Sequence, residues 1–592
     1  MERNINEIKE KLKSLGYLEW RIGDFFVGRK PRFLVLISKI SFIGAILFGF
    51  GFTLLYLITN LPLVSNFLDL FLLFIYISVS IFLILFVFFS ILGLVINYPL
   101  KKLRLKAKPS NALFHIITII FSILIMGYLF LWLKGQVFPS LYYFFVILIP
   151  LFIIFIIFFR IFLITIFLMM GNISSDPLPS RKVLVILSIL ILLSLIPFLF
   201  LERLKDKGGE SFSPERTGIK VAIIGVDGFD MSFAKSLIEE GKLPFLKTLF
   251  ENGFICKYRA KEPRIPAIFW TTVATGSPPE EHNIRAFQST SLIGVETPLQ
   301  FKRDPSGILW VLNSLFLNTK IAQLEPISSY LRNSKTLWEI FSEKGLRIGQ
   351  INWWASWPAD EVRDFSITDR AFEKIKERME LEMDYYPHYI KDDLFHSLDL
   401  SESFQPDSFI SNTIQRLFEI YSPDLFMVYL PGLDIQWENN FKNPIEDVRV
   451  LKNSITEVEN AFLKEDSILE KITGSLKDYT KIFVFDPGRN FRNKGIKKGE
   501  DGIVIFQGFP FKKGSIYEPQ APERIAPTVL FISGFPISER MKVPLMESIN
   551  EEFKKFHKIK IIKSFGRKKE KKVVSKFNKE LLENLRSLGY IE

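Results

Sequence analysis

Lys481-Ile-Phe-Val-Phe-Asp-Pro-Gly488 joins a short apolar run to a carboxylate and a turn. Such a run predicts a strand buried on both faces. Pro487-Gly488 ends it and leaves Asp486 just past the carboxyl end. Two other stretches repeat the pattern: Lys220–Val226 precedes Asp227-Gly228, and Leu425–Leu430 precedes Pro431-Gly-Leu-Asp434. Arg347–Asn352 and Gly502–Phe506 predict further strands, and Ser232–Glu240, stopped by Gly241, predicts a helix. Strand, carboxylate and helix make half of a βαβ unit, so the fold expected is a doubly wound α/β sheet. Ligands bind at the carboxyl edge of such sheets. One Asp there commonly begins a loop or caps a helix; Asp227, Asp434 and Asp486 together predict a site.

At 592 residues the chain exceeds one ordinary domain. It holds 60 Phe and is 48% hydrophobic yet 23% charged, and the two classes are segregated. Residues 33–201 are overwhelmingly apolar, whereas the remainder reads as a soluble domain. The net charge of +12 comes from Lys and Arg gathered at the ends of apolar runs. With no Arg-rich helix and no RNA-type aromatic motif, this favours flanks of membrane helices over nucleic-acid binding. Cys256 stands alone, which excludes an intrachain disulfide. The first thirty residues are polar and charged, unlike a cleaved signal peptide.

A membrane span needs roughly 20 apolar residues. Five are expected: 33–59, 67–96, 112–133, 141–159 and 183–201, with Arg160 marking where the fourth passes into an interfacial continuation, 161–170. Segment 1–32 and the connection containing Lys101, Lys102, Arg104, Lys106 and Lys108 are basic, and the connection at 60–66 is not. The alternation places the N-terminus in the cytoplasm, the large domain outside it, and the protein in the plasma membrane. A crossing by 161–170 would reverse the domain's side. No span carries a mid-depth Asp, Glu or Lys, which argues against a transporter. His115 is read as interfacial. Residues 202–217, with Gly208-Gly209 and several Ser and charged residues, form the linker.

The soluble part resembles the type I phosphodiesterase/nucleotide pyrophosphatase branch of the alkaline phosphatase superfamily. The resemblance covers 218–545, with a cap insertion over roughly 285–420 and a helical tail at 546–592. It rests on Ile224-Gly-Val-Asp-Gly-Phe-Asp230, Phe269-Trp-Thr-Thr-Val-Ala-Thr-Gly276, His282-Asn-Ile284, Ile525-Ala-Pro-Thr-Val-Leu530 and Gly534-Phe-Pro536, in that order. Asn352-Trp-Trp-Ala-Ser-Trp-Pro-Ala359 and Thr368-Asp-Arg370 resemble a Trp-rich segment of a membrane-linked subgroup. The resemblance implies two metal ions, usually zinc, flanking a Thr or Ser nucleophile.

This chain departs from that pattern. The nucleophile position, four before Trp270, is Pro266; the His positions after the second and third Asp are Glu438 and Pro487. No Ser, Thr or Cys lies between Lys257 and Trp270, and no His between Ser397 and Phe556. The five His are His115, His282, His388, His396 and His557. His282 is read as structural, and His388 and His396 as solvated or core residues of the cap. Without imidazoles a zinc pair is not expected. Asp227, Asp434, Glu438 and Asp486 would suit one hard cation, Mg²⁺ or Ca²⁺. Alternatively Arg489, Lys497 or Lys498 neutralises them. Thr271 and Thr272 are the alternative nucleophiles, though capping or back-bonding is their ordinary role. Trp353, Trp354 and Trp357 are candidate ligand-binding residues.

The function expected is therefore that of a membrane-anchored, non-catalytic member of this superfamily. It would bind a ligand or partner at the cell envelope: a lipid, a glycan or another membrane protein. The alternative is an active metal-dependent phosphohydrolase or phosphotransferase acting on phosphodiester or lipid-linked substrates. One pattern fits neither reading. Lys11-Leu-Lys-Ser-Leu-Gly-Tyr-Leu-Glu19 is echoed by Asn584-Leu-Arg-Ser-Leu-Gly-Tyr-Ile-Glu592, each an amphipathic helix stopped by Gly.

Overall fold

The structure, a computed structural model, describes residues 67–102 and 208–591, except 260–263, 297, 300–307, 378, 392–405, 443–444, 446, 490–500 and 568–572, with scattered positions between 38 and 57. The chain divides into two compact units, Met1–Lys205 and Asp206–Glu592, a boundary inside the expected linker.

In the first unit, helix α1 spans Phe67–Lys102. Its stretch Leu68–Val95, 28 residues at mean hydropathy 3.0, is long and apolar enough to cross a bilayer. At about 1.5 Å per residue it exceeds a hydrocarbon core of about 30 Å, which leaves room to tilt. Leu68, Val79, Ile91 and Val95 are exposed along it. This helix coincides with the segment expected as the second span, 67–96. The expected spans at 112–133, 141–159 and 183–201, the continuation at 161–170 and nearly all of 33–59 lie outside the described residues.

The second unit is built on a nine-stranded mixed sheet. Its strands are β1 (Lys220–Asp227), β2 (Phe254–Arg259), β3 (Ile348–Trp353), β4 (Phe365–Thr368), β5 (Tyr385–Tyr386), β6 (Leu425–Leu430), β7 (Tyr479–Asp486), β8 (Asp501–Gln507) and β9 (Gly514–Gln520). They lie in the order β9-β2-β8-β7-β1-β6-β3-β4-β5. The centre is parallel: β1 runs parallel to β6 and β7, and β3 runs parallel to β6 and β4. β8 is antiparallel to both β7 and β2.

Successive side chains point to opposite faces, so each central strand feeds two cores. On one face Val221, Ile223, Met427, Ile482 and Val484 meet Trp270 and Trp338. On the other, Ala222, Ile224, Phe426, Val428 and Phe483 meet Leu237 and Leu469. Burial on both sides explains the uninterrupted apolar runs. The five strands expected from sequence all form, with ends shifted by a residue or two.

The range expected to hold a cap insertion, roughly 285–420, contributes two strands to the main sheet. β3 and β4, both within it, continue the main sheet beside β6, because Ile348–Trp353 and Phe365–Thr368 are buried throughout. Seven further helices matter below: α2 (Met231–Glu239), α3 (Pro244–Asn252), α4 (Pro266–Thr275), α5 (Pro406–Ile420), α6 (Gly432–Phe441), α7 (Val448–Ser475) and α8 (Asn578–Ser587).

Candidate functional site

Asp227 and Asp486 end adjacent parallel strands and are paired in register. Asp434 lies in the first turn of α6, which starts just after β6. The carboxyl edge of the sheet thus brings the three predicted carboxylates together. Glycines let the loops approach. Gly228 at φ +81° has no room for a Cβ against the Asp434 backbone, and Gly488 at φ +72° fits against Gly228 and Asp434. Trp437 Nε1 donates to the Gly228 carbonyl at 2.9 Å and fixes the first loop to α6.

Each carboxylate has partners from this chain. Asp227 accepts from the Gly228 amide at 2.9 Å, from Tyr429 Oη at 2.8 Å and from Trp270 Nε1 at 3.4 Å. Asp486 accepts from Tyr258 Oη at 2.8 Å and the Gly488 amide at 2.9 Å. Asp434 accepts from the Arg489 amide at 3.1 Å on one oxygen and from Arg489 Nε at 2.7 Å on the other. Glu438, one turn along α6, has an oxygen 3.6 Å from Arg489 Nη1. Of the three cations proposed to neutralise the cluster, Arg489 takes that place; Lys497 and Lys498 lie outside the described residues.

Burial, and then the nearby Asp434 and Asp486, push Asp227 well above the usual carboxylate range. Asp486 is raised too, chiefly by burial. The Arg489 guanidinium is held charged: despite its burial, Asp434 and Glu438 raise it further. Arg489 is the guanidinium that faces this carboxylate cluster, on Asp434 at 2.7 Å and Glu438 at 3.6 Å. A metal ion fits this arrangement poorly. Both Asp434 oxygens are already engaged by Arg489, and an ion there would have to displace the guanidinium.

Pro266 opens α4 at its first turn, where a missing amide and a fixed φ suit a helix start. Thr271 Oγ1 donates to the Ala267 carbonyl at 2.7 Å, and Thr272 Oγ1 to the Ile268 carbonyl at 3.0 Å. Both hydroxyls are back-bonded to their own helix. His282 Nδ1 accepts from the Ile284 amide at 3.0 Å, which leaves Nε2, 3.1 Å from Thr272 Oγ1, to carry the ring proton. Burial lowers this imidazole to about 3, so it is neutral and structural. His388 is exposed, and His115 and His396 lie outside the described residues.

The Trp-rich segment divides. Trp353 is fully buried and donates to the Trp270 carbonyl at 2.8 Å. Trp357 lies beneath the Arg370 guanidinium at 4.0 Å. Trp354 alone of the three lines a cavity of about 110 Å³, with Asn352, Tyr590 and Tyr429, the donor to Asp227. Tyr590 was legible only as part of the terminal echo. It is 3% exposed, and the Arg489 guanidinium stacks on it at 3.9 Å.

Residues 221–485 match the family model of Type I phosphodiesterase / nucleotide pyrophosphatase, a stretch short of half the chain. Over that stretch the chain is similar to the Type I phosphodiesterase / nucleotide pyrophosphatase family. No curated protein matches the sequence. Among solved structures, phosphonoacetate hydrolase from Sinorhizobium meliloti 1021 in complex with phosphonoformate is similar at 15% identity and a TM-score of 0.30, over 47% of this chain and 60% of that one. A putative sulfatase from Bacteroides thetaiotaomicron VPI-5482 is similar at 12% identity and a TM-score of 0.35, over 55% of this chain and 74% of that one. The chain thus spans about three fifths of the length of the phosphonoacetate hydrolase, 60%. At the positions where the resemblance expects a nucleophile and imidazole ligands, this chain carries Pro266, Glu438 and Pro487.

Proposed function

We propose that residues 206–592 are a non-catalytic member of the superfamily, held at the cell membrane by the apolar N-terminal region, and that the former catalytic cleft binds a ligand or partner. Arg489 carries this reading: its guanidinium sits on Asp434 at 2.7 Å, where the resemblance calls for metal. With Pro266 at the nucleophile position, a covalent phosphoryl intermediate has no hydroxyl to form on. Nucleophile and metals act as one unit in such enzymes, and losing members of a unit is strongly non-additive. Any bound ion is expected to be a hard, oxygen-held Mg²⁺ or Ca²⁺ rather than a zinc pair.

The second reading, a phosphohydrolase or phosphotransferase for lipid-linked envelope substrates, is favoured only by the retained trio of Asp227, Asp434 and Asp486. Metal analysis of the purified chain, together with assays on generic phosphodiesters and monoesters in Mg²⁺, Mn²⁺ and Zn²⁺, separates the two. The non-catalytic reading expects no turnover above an Asp227→Ala control. Two equivalents of tightly held zinc, or turnover abolished by Asp227→Ala, would favour the enzyme.

A further inference from the structure

Residues 554–572 carry ten Lys or Arg and one acid, Glu570, far along the chain from the apolar N-terminal runs. Two anchors fix the first part of this segment on the second unit. The short helix Glu551–Phe556 is capped by Asn550, whose side chain accepts from the Phe553 amide at 2.7 Å, and it buries Phe553. The strand Ile561–Ile562 pairs with Ile537–Ser538 and turns Ile562 into the core. What the anchors leave outside is basic and apolar together. Lys555, Lys558 and Lys563 are exposed, and none of the three has an ion-pair partner among the described residues. Among them Phe556 is 78% exposed and Ile561 62%.

A second segment joins this face. The Asn550 amide donates to the Pro510 carbonyl at 3.0 Å, the Lys512 amide donates to the Ser548 carbonyl at 3.0 Å, and the Phe509 ring packs on Phe553 at 5.8 Å. These contacts seat Phe509, Lys512 and Lys513, all exposed, beside the short helix. Nearby acids have partners in the domain: Glu551 pairs with Lys554, and Glu215 with Lys560. Lysines interleaved with solvent-facing apolar tips suit an anionic lipid surface, where charge holds the headgroups and the tips enter the interface. Duplex nucleic acid would use the lysines but give the aliphatic Ile561 no partner. The course of the chain favours lipid as well. The Glu210 amide donates to the Ser564 carbonyl at 2.9 Å, and its carboxylate accepts from the Lys563 amide at 2.8 Å. Glu210 follows the last apolar run, 183–201, by nine residues, which reach at most about 30 Å.

We propose that this face docks on the bilayer holding the apolar region, with anionic headgroups on Lys555, Lys558 and Lys563 and with Phe556 and Ile561 in the interface. The proposal rests on the membrane-held reading of the chain and names the lipid class its domain meets.

The test places the full chain in nanodiscs of phosphatidylcholine alone or with about one third phosphatidylglycerol. Cys256, the one cysteine, is buried, so a thiol-reactive fluorophore goes to Phe556→Cys. Spin-labelled lipid should quench it about threefold more in the anionic discs, and about 0.5 M salt should remove the excess. Lys555→Ala, Lys558→Ala and Lys563→Ala together should also remove it. Alanine at Lys235, Lys247 and Lys477, exposed elsewhere on the domain, should not. Equal quenching in the two lipids overturns the proposal, as does an equal loss from the control set. Equal quenching together with lysine-dependent binding of duplex DNA assigns the face to nucleic acid and overturns it too. If the triple variant loses its near-ultraviolet aromatic signal, the salt dependence of the labelled parent decides alone. Retention of the chain in neutral discs through a high-salt wash reports separately on the membrane-held reading.

Discussion

Arg489 joins chemistry and folding at one residue. Its guanidinium bridges Asp434 and Glu438 and holds the Leu588 carbonyl. Removing one partner of a buried ion pair strands the other, which typically costs about 3–5 kcal/mol. Arg489→Ala should destabilise the domain by that order in urea unfolding followed by tryptophan fluorescence. Arg489→Lys should recover only part, because an ammonium cannot reproduce the planar fork. A loss below about 1 kcal/mol for Arg489→Ala would show that the cluster is neutralised by other means. Pro266→Thr alone should restore no turnover, since Glu438 and Pro487 remain where imidazoles are expected. At this scale the sequence was legible where a residue's place follows from its own strand, as for Asp227, Asp434 and Asp486. Choosing Arg489 over Lys497 and Lys498 needed the tertiary fold. The Trp353 and Trp357 rings are core because the strand and Arg370 cover them, a fact no local pattern carries.

Among the elements, the start of α6 rests on a buried acid pair. Asp407 at the start of α5 accepts from the Gly432 amide at 2.7 Å, and its neighbour from α7 is Glu465. Each has an oxygen with no donor among the described residues, as expected of two carboxyls sharing a proton. Burial lifts Asp407 to about 7 and, with the adjacent Asp407, lifts Glu465 well above the carboxylate range. Lys464 and Asp466 are the other charged groups acting on the pair. Raised acids bind more protons folded than unfolded, so their contribution is fullest below the unfolded value near 3.9 to 4.3. It declines as pH rises toward about 7. Glu465→Gln should flatten this slope in thermal unfolding scans between pH 4 and 8; an unchanged slope would show that the pair does not titrate there. In β1, Gly225 lies where a Cβ would strike the Trp270 ring. Gly225→Ala should therefore destabilise by about 1–3 kcal/mol through overpacking, measured by urea unfolding. The elements were the most legible level, because buried strands announce themselves as apolar runs. β3 and β4, within the range expected as a cap insertion, enter the sheet out of sequence order, next to β6, which no local pattern announces. Contact between Arg489 and Leu588, at the end of α8, was illegible because the two lie about a hundred positions apart.

The whole molecule joins an apolar N-terminal region to an α/β domain similar over residues 221–485 to the Type I phosphodiesterase / nucleotide pyrophosphatase family. The five-span reading places residues 203–592 outside the cytoplasm, so protease added to intact cells should cut near Lys205–Lys207. Protection there until the membrane is permeabilised would contradict that topology and the envelope location with it. The central claim is that Arg489 and the residues around it have replaced metal-assisted catalysis. Its most direct test is metal content and phosphodiester hydrolysis measured together on the purified full chain, beside Asp227→Ala. The account predicts no zinc pair and no turnover distinguishable from the Asp227→Ala chain. Two equivalents of bound zinc with turnover that Asp227→Ala abolishes would contradict it.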